Sequence, residues 1–211
     1  MTDGIRIGDH IDQVAASPLA RFADRTPWAL VAEAPVIVRV LLAELTATDY
    51  VFTGDIAIHR SATVEIGAVL KGPLIIGPRG FLATGAYVRG GNWLGADCLI
   101  GPGSELKTSF LFAGTKLAHF NFVGDSVLGA GVNMEAGSII CNYRNERPGT
   151  CVRVLVNGLL HDTGVEKFGA MVGDGSRIGA NAVIAPGAIL RARQIVQRAS
   201  LLDQESFVNP A

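Results

Sequence analysis

The chain is predicted to fold as a parallel β-helix, and three observations carry that reading. The first is an aliphatic residue, or Phe at the two ends, at every sixth position: Phe52, Ile58, Val64, Leu70, Ile76, Leu82, Val88, Leu94, Ile100, Leu106 and Phe112. Neither the period of a strand nor that of a helix produces this spacing, whereas a six-residue unit supplies one flat side of a coil. The second is a small residue two places earlier in many units, such as Ala62, Ala68, Gly80, Ala86, Cys98 and Ser104. One large and one small side chain per unit suit a narrow, close-packed interior. The third is Gly directly after the aliphatic, as in Ile76-Gly77, Leu94-Gly95 and Ile100-Gly101, where the backbone must turn a corner.

The N-terminal fifty residues precede this pattern. Residues 1–25 carry no clear period and read as an arm. Thr26-Pro27 marks a helix start, with Thr26 as N-cap and Pro27 at the first helical position. Pro35 ends or kinks that helix. Residues 35–47 read as a second helix with Ile37, Val40, Leu41 and Leu45 on one face, although their β-branched content also fits a strand. The expected role of these helices is to cover the open end of the coil.

The coil domain spans 51–200. Its register slips by one near residue 107 and resumes at Leu111, Leu117 and Val123, then again at Leu128, Met134 and Ile140. The period is lost from Asn142 to Lys167 and returns at Val172, Ile178, Ile184, Leu190 and Val196. Within the excursion, at about 144–166, Val156-Asn157-Gly158 lies between apolar runs and predicts a hairpin. The excursion reads either as a functional loop or as reinforcement of a subunit contact. Residues 201–211 read as a tail.

Bulk properties exclude several classes. The 211 residues suit one domain with a small appendage, and a net charge of -1 argues against nucleic-acid binding. No apolar run is long enough to span a bilayer, and Met1-Thr2-Asp3-Gly4 does not begin a secretory signal. Three cysteines without a CxxC pair fit the cytoplasm. Cys98 occupies a small inward position. The four histidines, His10, His59, His119 and His161, include no close pair, so no metal is expected. There is also no G-x-S-x-G nucleophile motif. A neutral-pH base is most simply a His; spacing alone does not choose among the four.

Residues 101–143 read GPGSELKTSFLFAGTKLAHFNFVGDSVLGAGVNMEAGSIICNY. The ordered run of Lys, His, Gly-Asp, Val-Asn, Ala-Gly and Cys-Asn-Tyr resembles the acetyltransferase half of the bifunctional N-acetylglucosamine-1-phosphate uridyltransferase / glucosamine-1-phosphate acetyltransferase family. The resemblance covers roughly residues 50–200. It implies a left-handed parallel β-helix of hexapeptide repeats that forms a homotrimer, with active sites between subunits. It also implies transfer of an acetyl group from acetyl-CoA to the amine of a sugar 1-phosphate. By the same resemblance His119 falls on the catalytic base. Arg89, Lys107, Asn133, Asn142 and Lys167 fall on substrate-binding positions, and Ala136, Tyr143 and Ala180 on positions near the acetyl group and CoA. Glu105 reads either as an orienting carboxylate or as a structural one. Arg191, Arg193 and Arg198 read either as partners of a CoA phosphate or as solvated charge.

The chemistry agrees with the alignment. An ammonium is not a nucleophile, so a base must remove its proton before attack on the thioester. Arg and Lys suit a phosphate. Three departures set this chain apart. The family's Tyr is Phe122, the Asp-Gly after Asn-Tyr is Arg144-Asn145, and the excursion follows at once. Residues 1–50 hold no Gly-rich nucleotide loop. The alternative readings are an O-acyltransferase acting on a sugar nucleotide and a non-catalytic trimeric scaffold.

Overall fold

The computed structural model describes residues 5–207; the extreme ends of the expected arm and tail lie outside the described residues. Three sheets run along one solenoid, one with eight strands and two with seven. The chain visits them in turn, so seven coils stack, with every coil-to-coil pairing parallel. The first face runs from Ile56–His59 to Ala188–Leu190, the second from Thr63–Val64 to Ile195–Val196, and the third from Val69–Leu70 to Leu201–Leu202. Three corners separate them: first to second, second to third, and third to first.

The inward positions are those of the six-residue period. Leu82, Val88, Leu94, Ile100 and Leu106 are fully buried in one core, joined by Leu111, Leu117, Val123, Leu128, Met134 and Ile140. Each such aliphatic contributes about 1.5–3 kcal/mol by leaving water. The register slips fall at the third corner, where the turn between Leu106 and Leu111 is one residue shorter. Cys98 is part of this core, and burial pushes its thiol up to about 12. Phe52 and Phe112 leave the pattern. Phe52 lies exposed on β1 (Tyr50–Thr53), which pairs antiparallel with β2 (Ile56–His59), and Phe112 points away from the coil interior. Leu111 is the inward residue there.

Thr26 caps α1 (Pro27–Ala32), its hydroxyl accepting from the Ala29 N–H. Helix α2 (Ala34–Leu42) carries Pro35 in its first turn and stops short of residue 47. It buries Ala34, Ile37, Val38 and Leu41. Val40 is exposed instead, because the spacing 34, 37, 38, 41 is the face of a 3.6-residue period turned toward the coil. Neither helix covers the open end. Both lie along the first face, whose outward residues Ile75, Trp93, Phe110, Val127 and Met171 are apolar and form a second core with them. The first face's starting edge is covered by β1.

The excursion does form the predicted hairpin, Arg153–Val156 against Leu159–Asp162. Asn157 and Gly158 both have positive φ, 49° and 81°, as a two-residue hairpin turn needs. Val152 and Val154 pack into the second core, so the hairpin body lies toward the first face. The coil runs on to Leu201–Leu202, and the expected tail continues as a short 3-10 helix, Gln204–Phe207. The Gln204 amide donates to the Ile189 carbonyl and accepts from its N–H, at 2.9 and 2.8 Å. It thereby closes the last edge of the first face.

One glycine is indispensable to the corner that presents His119. A Cβ on Gly101 would stand 1.6 Å from the Ala118 carbonyl oxygen, a backbone atom that cannot step aside. Gly101→Ala is expected to cost about 3 kcal/mol by overpacking, measured as a lower denaturant midpoint. An unchanged midpoint would refute the close-approach argument.

Candidate active site

The expected site residues fall into three places. His119, Ala136 and Ala180 form one column at the second corner. The paired strands Leu117, Met134 and Ile178 put the three in equivalent positions of successive coils. Arg198 continues the column. The ladder between them is made by backbone groups: Gly137 N–H donates to the His119 carbonyl at 3.0 Å, and Asn181 N–H to the Ala136 carbonyl at 2.9 Å. His119 is exposed, and its ring meets Phe120 edge-on at 5.9 Å. Phe120 holds φ 55°, a left-handed value where the preceding corners use Gly67, Gly85 and Gly103. Such a conformation costs a side-chain-bearing residue roughly 1–2 kcal/mol. Gly103 makes room for the Phe120 ring, since a Cβ there would lie 2.7 Å from it.

Below this corner, Glu135 accepts the Ala180 N–H at 2.9 Å and Nε and Nη2 of Arg198, each at 2.8 Å. Arg198 holds the Glu135 carboxyl below its usual range. Asn133 stands apart, on the second face between Lys116 and Arg177. A cavity of about 560 Å³ opens there, lined by Lys116, Asn133, Glu135, Arg177 and Arg198 among others. Arg191 and Arg193 belong to the first corner, so the three C-terminal arginines are not one cluster.

The third corner gathers the remaining residues. Arg89 and Lys107 are register partners on adjacent coils. Each has a carboxylate. Arg89 Nε donates to Glu105 at 2.8 Å, with Nη2 at 2.7 Å, and Lys107 Nζ donates to both oxygens of Asp125 at 2.9 and 2.6 Å. Asn142 also donates to Asp125. Asp125 is only 6% exposed and takes φ 46°, so its carboxylate is aimed by the corner itself. Sequence reasoning did not single it out; its signal was the Gly-Asp of the ordered motif. The excursion leaves and rejoins the coil here. Phe168 N–H donates to the Asn142 carbonyl at 3.1 Å and Gly169 N–H to the Asp125 carbonyl at 2.9 Å, which brings exposed Lys167 back beside the column. Half-buried Tyr143 begins the excursion.

Phe122 lies on the third face between Glu105 and Ile139. Its ring reaches toward Gly124 and Asn142, since a Cβ on Gly124 would meet Phe122 Cζ at 2.9 Å and Asn142 Nδ2 at 2.8 Å. The missing hydroxyl therefore bears on the third corner. The other histidines have local roles or settings. His59 bonds Ser61 at 2.8 Å and meets Tyr50 edge-on, His161 lies on the hairpin, and His10 is held below its usual pKa by burial. Asp125→Ala is expected to loosen Lys107 and Asn142 together and to destabilise the fold by about 1–3 kcal/mol, because it strips a half-buried ammonium of its partner. Thermal melting of the purified variant checks this; an unchanged Tm would count against it.

The fold is that of the left-handed parallel β-helix of hexapeptide repeats. No protein-family model matches the chain. It is similar to the bifunctional protein GlmU of Methanococcus vannielii, 29% identical over 161 residues that make up 74% of this chain and 38% of that protein. It is likewise similar to the bifunctional sugar-1-phosphate nucleotidylyltransferase/acetyltransferase of Sulfurisphaera tokodaii, 31% identical over 134 residues, 64% of this chain and 33% of that one. Among solved structures, a hexapeptide transferase family protein from Anaplasma phagocytophilum matches with 13% identity and a TM-score of 0.38, over 69% of this chain and 73% of that chain. The chain spans well under half the length of the curated relatives it matches. The resemblance drawn from the Lys–His–Gly-Asp–Cys-Asn-Tyr run is thus met by sequence relatives of the same description.

Proposed function

We propose that this chain is an acetyl-CoA-dependent N-acyltransferase acting on the amine of an amino-sugar phosphate or a related amino sugar. The observation that carries the reading is the ordered motif set around His119, whose members, Asn133 on the second face apart, fall at the second and third corners of successive coils. His119 is the base. It takes a proton from the acceptor's ammonium; the freed amine attacks the thioester carbonyl, the C–N bond forms, the C–S bond breaks, and the thiolate leaves to be protonated. Arg89 and Lys107 bind the acceptor's anion, and Asn133, Asn142 and Lys167 help place it. Ala136, Tyr143 and Ala180 flank the acetyl-CoA, whose chemistry is to supply the activated acyl group.

The placement of these residues favours a site shared between subunits. His119 stands at the second corner and Arg89 and Lys107 at the third, on opposite margins of the third face. One chain's base can therefore meet another chain's anion-binding residues, as in the homotrimer that the resemblance implies. Among the described residues no helix is long and apolar enough to cross a membrane. With three free cysteines, the cytoplasm is the proposed location.

The test is thiol release from acetyl-CoA by the purified protein with a panel of amino sugars and their phosphates. Release that requires an acceptor amine supports the reading. No release with any amine, while an acyl carrier protein donor is consumed, would replace it with O- or N-acyl transfer from that carrier.

A further inference from the structure

A third cation continues the column of Arg89 and Lys107. Lys71 occupies the position equivalent to Arg89 one coil earlier, since Leu70 pairs with Val88 and the Lys71 N–H donates to the Val88 carbonyl at 2.8 Å. Lys71, Arg89 and Lys107 thus stand one per coil, about 4.8 Å apart along the solenoid. Tyr87 ties the upper two together. Its hydroxyl accepts from Lys71 Nζ at 2.9 Å, the ammonium lies 5.1 Å from the ring centre, and the Arg89 guanidinium lies 5.8 Å from the same ring.

Charge distinguishes Lys71 from its neighbours. Arg89 is matched by Glu105, and Lys107 by Asp125. Among the described residues no carboxylate stands within ion-pair distance of Lys71. Asp55, at the nearby turn, is engaged by Arg39 at 3.5 Å. Arg89 and Lys107 with their carboxylates sum to zero, and exposed Lys167 stands beside the column at its Asp125 end. Lys71 sets a further positive charge at the end away from Asp125, on an ammonium already held in place by an aromatic ring. A single phosphate bridging Arg89 and Lys107 would compete with both carboxylates and leave this charge unused.

We propose that Lys71, Arg89 and Lys107 form one anion-binding strip for two linked phosphates. The acceptor is then an amino sugar carried on a nucleoside diphosphate, not an amino-sugar 1-phosphate. The substrate assignment rests on the acyltransferase reading of the same site; the strip itself does not. Lys71 receives the phosphate farther from the sugar, and Tyr87 positions Lys71.

Calorimetric titration with inorganic pyrophosphate and inorganic phosphate tests the strip without any turnover. Pyrophosphate should bind about tenfold more tightly than phosphate, the scale of one added charge-assisted contact. Lys71→Ala should remove most of that preference and Lys71→Arg should restore it. Equal binding of the two anions, or pyrophosphate affinity unmoved by Lys71→Ala, would overturn the proposal. Initial rates with acetyl-CoA then separate it from the acyltransferase reading. A nucleoside diphosphate amino sugar should show a KM about tenfold higher in Lys71→Ala with kcat little changed. Lys71-dependent pyrophosphate binding with no acyl transfer to any amine would sink the enzyme reading and leave the strip standing. Better turnover of glucosamine 1-phosphate than of the nucleoside diphosphate sugar would sink the substrate assignment and leave the enzyme.

Discussion

His119→Ala is expected to lower kcat/KM for acetyl transfer by about two to four orders of magnitude, the range for loss of a positioned general base. The fold should be untouched. His119 is exposed, its ring meets the Phe120 ring edge-on, and the ladder contact at this residue is made by its backbone carbonyl to Gly137. On the proposed mechanism, the substitution removes the acceptor for the ammonium's proton. Thiol release by both proteins, beside their circular dichroism, reads activity and fold together. A folded variant with undiminished turnover would remove His119 from the mechanism and with it the leading reading of the second corner.

The corner explains why one histidine of four is presented in this way. Phe120 is forced to a left-handed φ, Gly101 lets the Ala118 carbonyl approach, and Gly103 gives space to the Phe120 ring. The strain is local and is held by coils above and below, so the proposed base is set on a rigid scaffold.

The coil was legible because its interior is narrow. Each inward position admits one aliphatic side chain, and a run such as Leu82, Val88, Leu94, Ile100 and Leu106 has no other simple cause. The same signal misled at Phe52 and Phe112, where hydrophobic residues at the right spacing serve other surfaces. The placement of the helices was not legible from their own pattern. It is written instead in the first face, where Trp93, Phe110 and Val127 point outward and require a cover. At the site, residue identities could be aligned from the ordered motif, but their partners could not. Glu105 meets Arg89 across one coil and Asp125 meets Lys107 across another, contacts set by coil stacking and not by nearness along the chain. The period likewise does not say which chain's corner completes which site.

Glu205→Ala is expected to release the excursion from the coil, with a local loss of about 3 kcal/mol. Arg144, the residue that replaces the family's Asp after Asn142-Tyr143, is only 6% exposed. Its Nη1 and Nη2 donate to Asp203 at 2.9 and 2.7 Å, and Nη2 also reaches the Pro186 carbonyl at 3.2 Å. Arg144 Nε lies 3.0 Å from Glu205 but off the hydrogen-bond direction, so charge alone satisfies it there. Arg147 donates twice to Glu205, at 2.8 and 2.6 Å, and Arg153 adds a further contact. Removing Glu205 leaves these arginines facing one another with a buried guanidinium short of a partner, the arrangement in which a broken ion pair costs most. The hydrogen-bonded arginines hold both Asp203 and Glu205 below the ordinary carboxylate range. The unfolded carboxylates therefore take up protons first as the pH falls. The stabilisation is fully present above the ordinary carboxylate range and is lost as acid passes through the lowered folded values. Amide exchange should report faster opening of residues 144–166 in Glu205→Ala at neutral pH, and the same opening in the wild type only in acid. Because a solenoid is stabilised mainly by contacts between neighbouring coils, the amides of Leu82, Leu94 and Leu106 should stay protected. Equal protection of the excursion in both proteins would mean that the hairpin is held by Val152 and Val154 in the apolar layer alone, with the arginine cluster contributing nothing measurable.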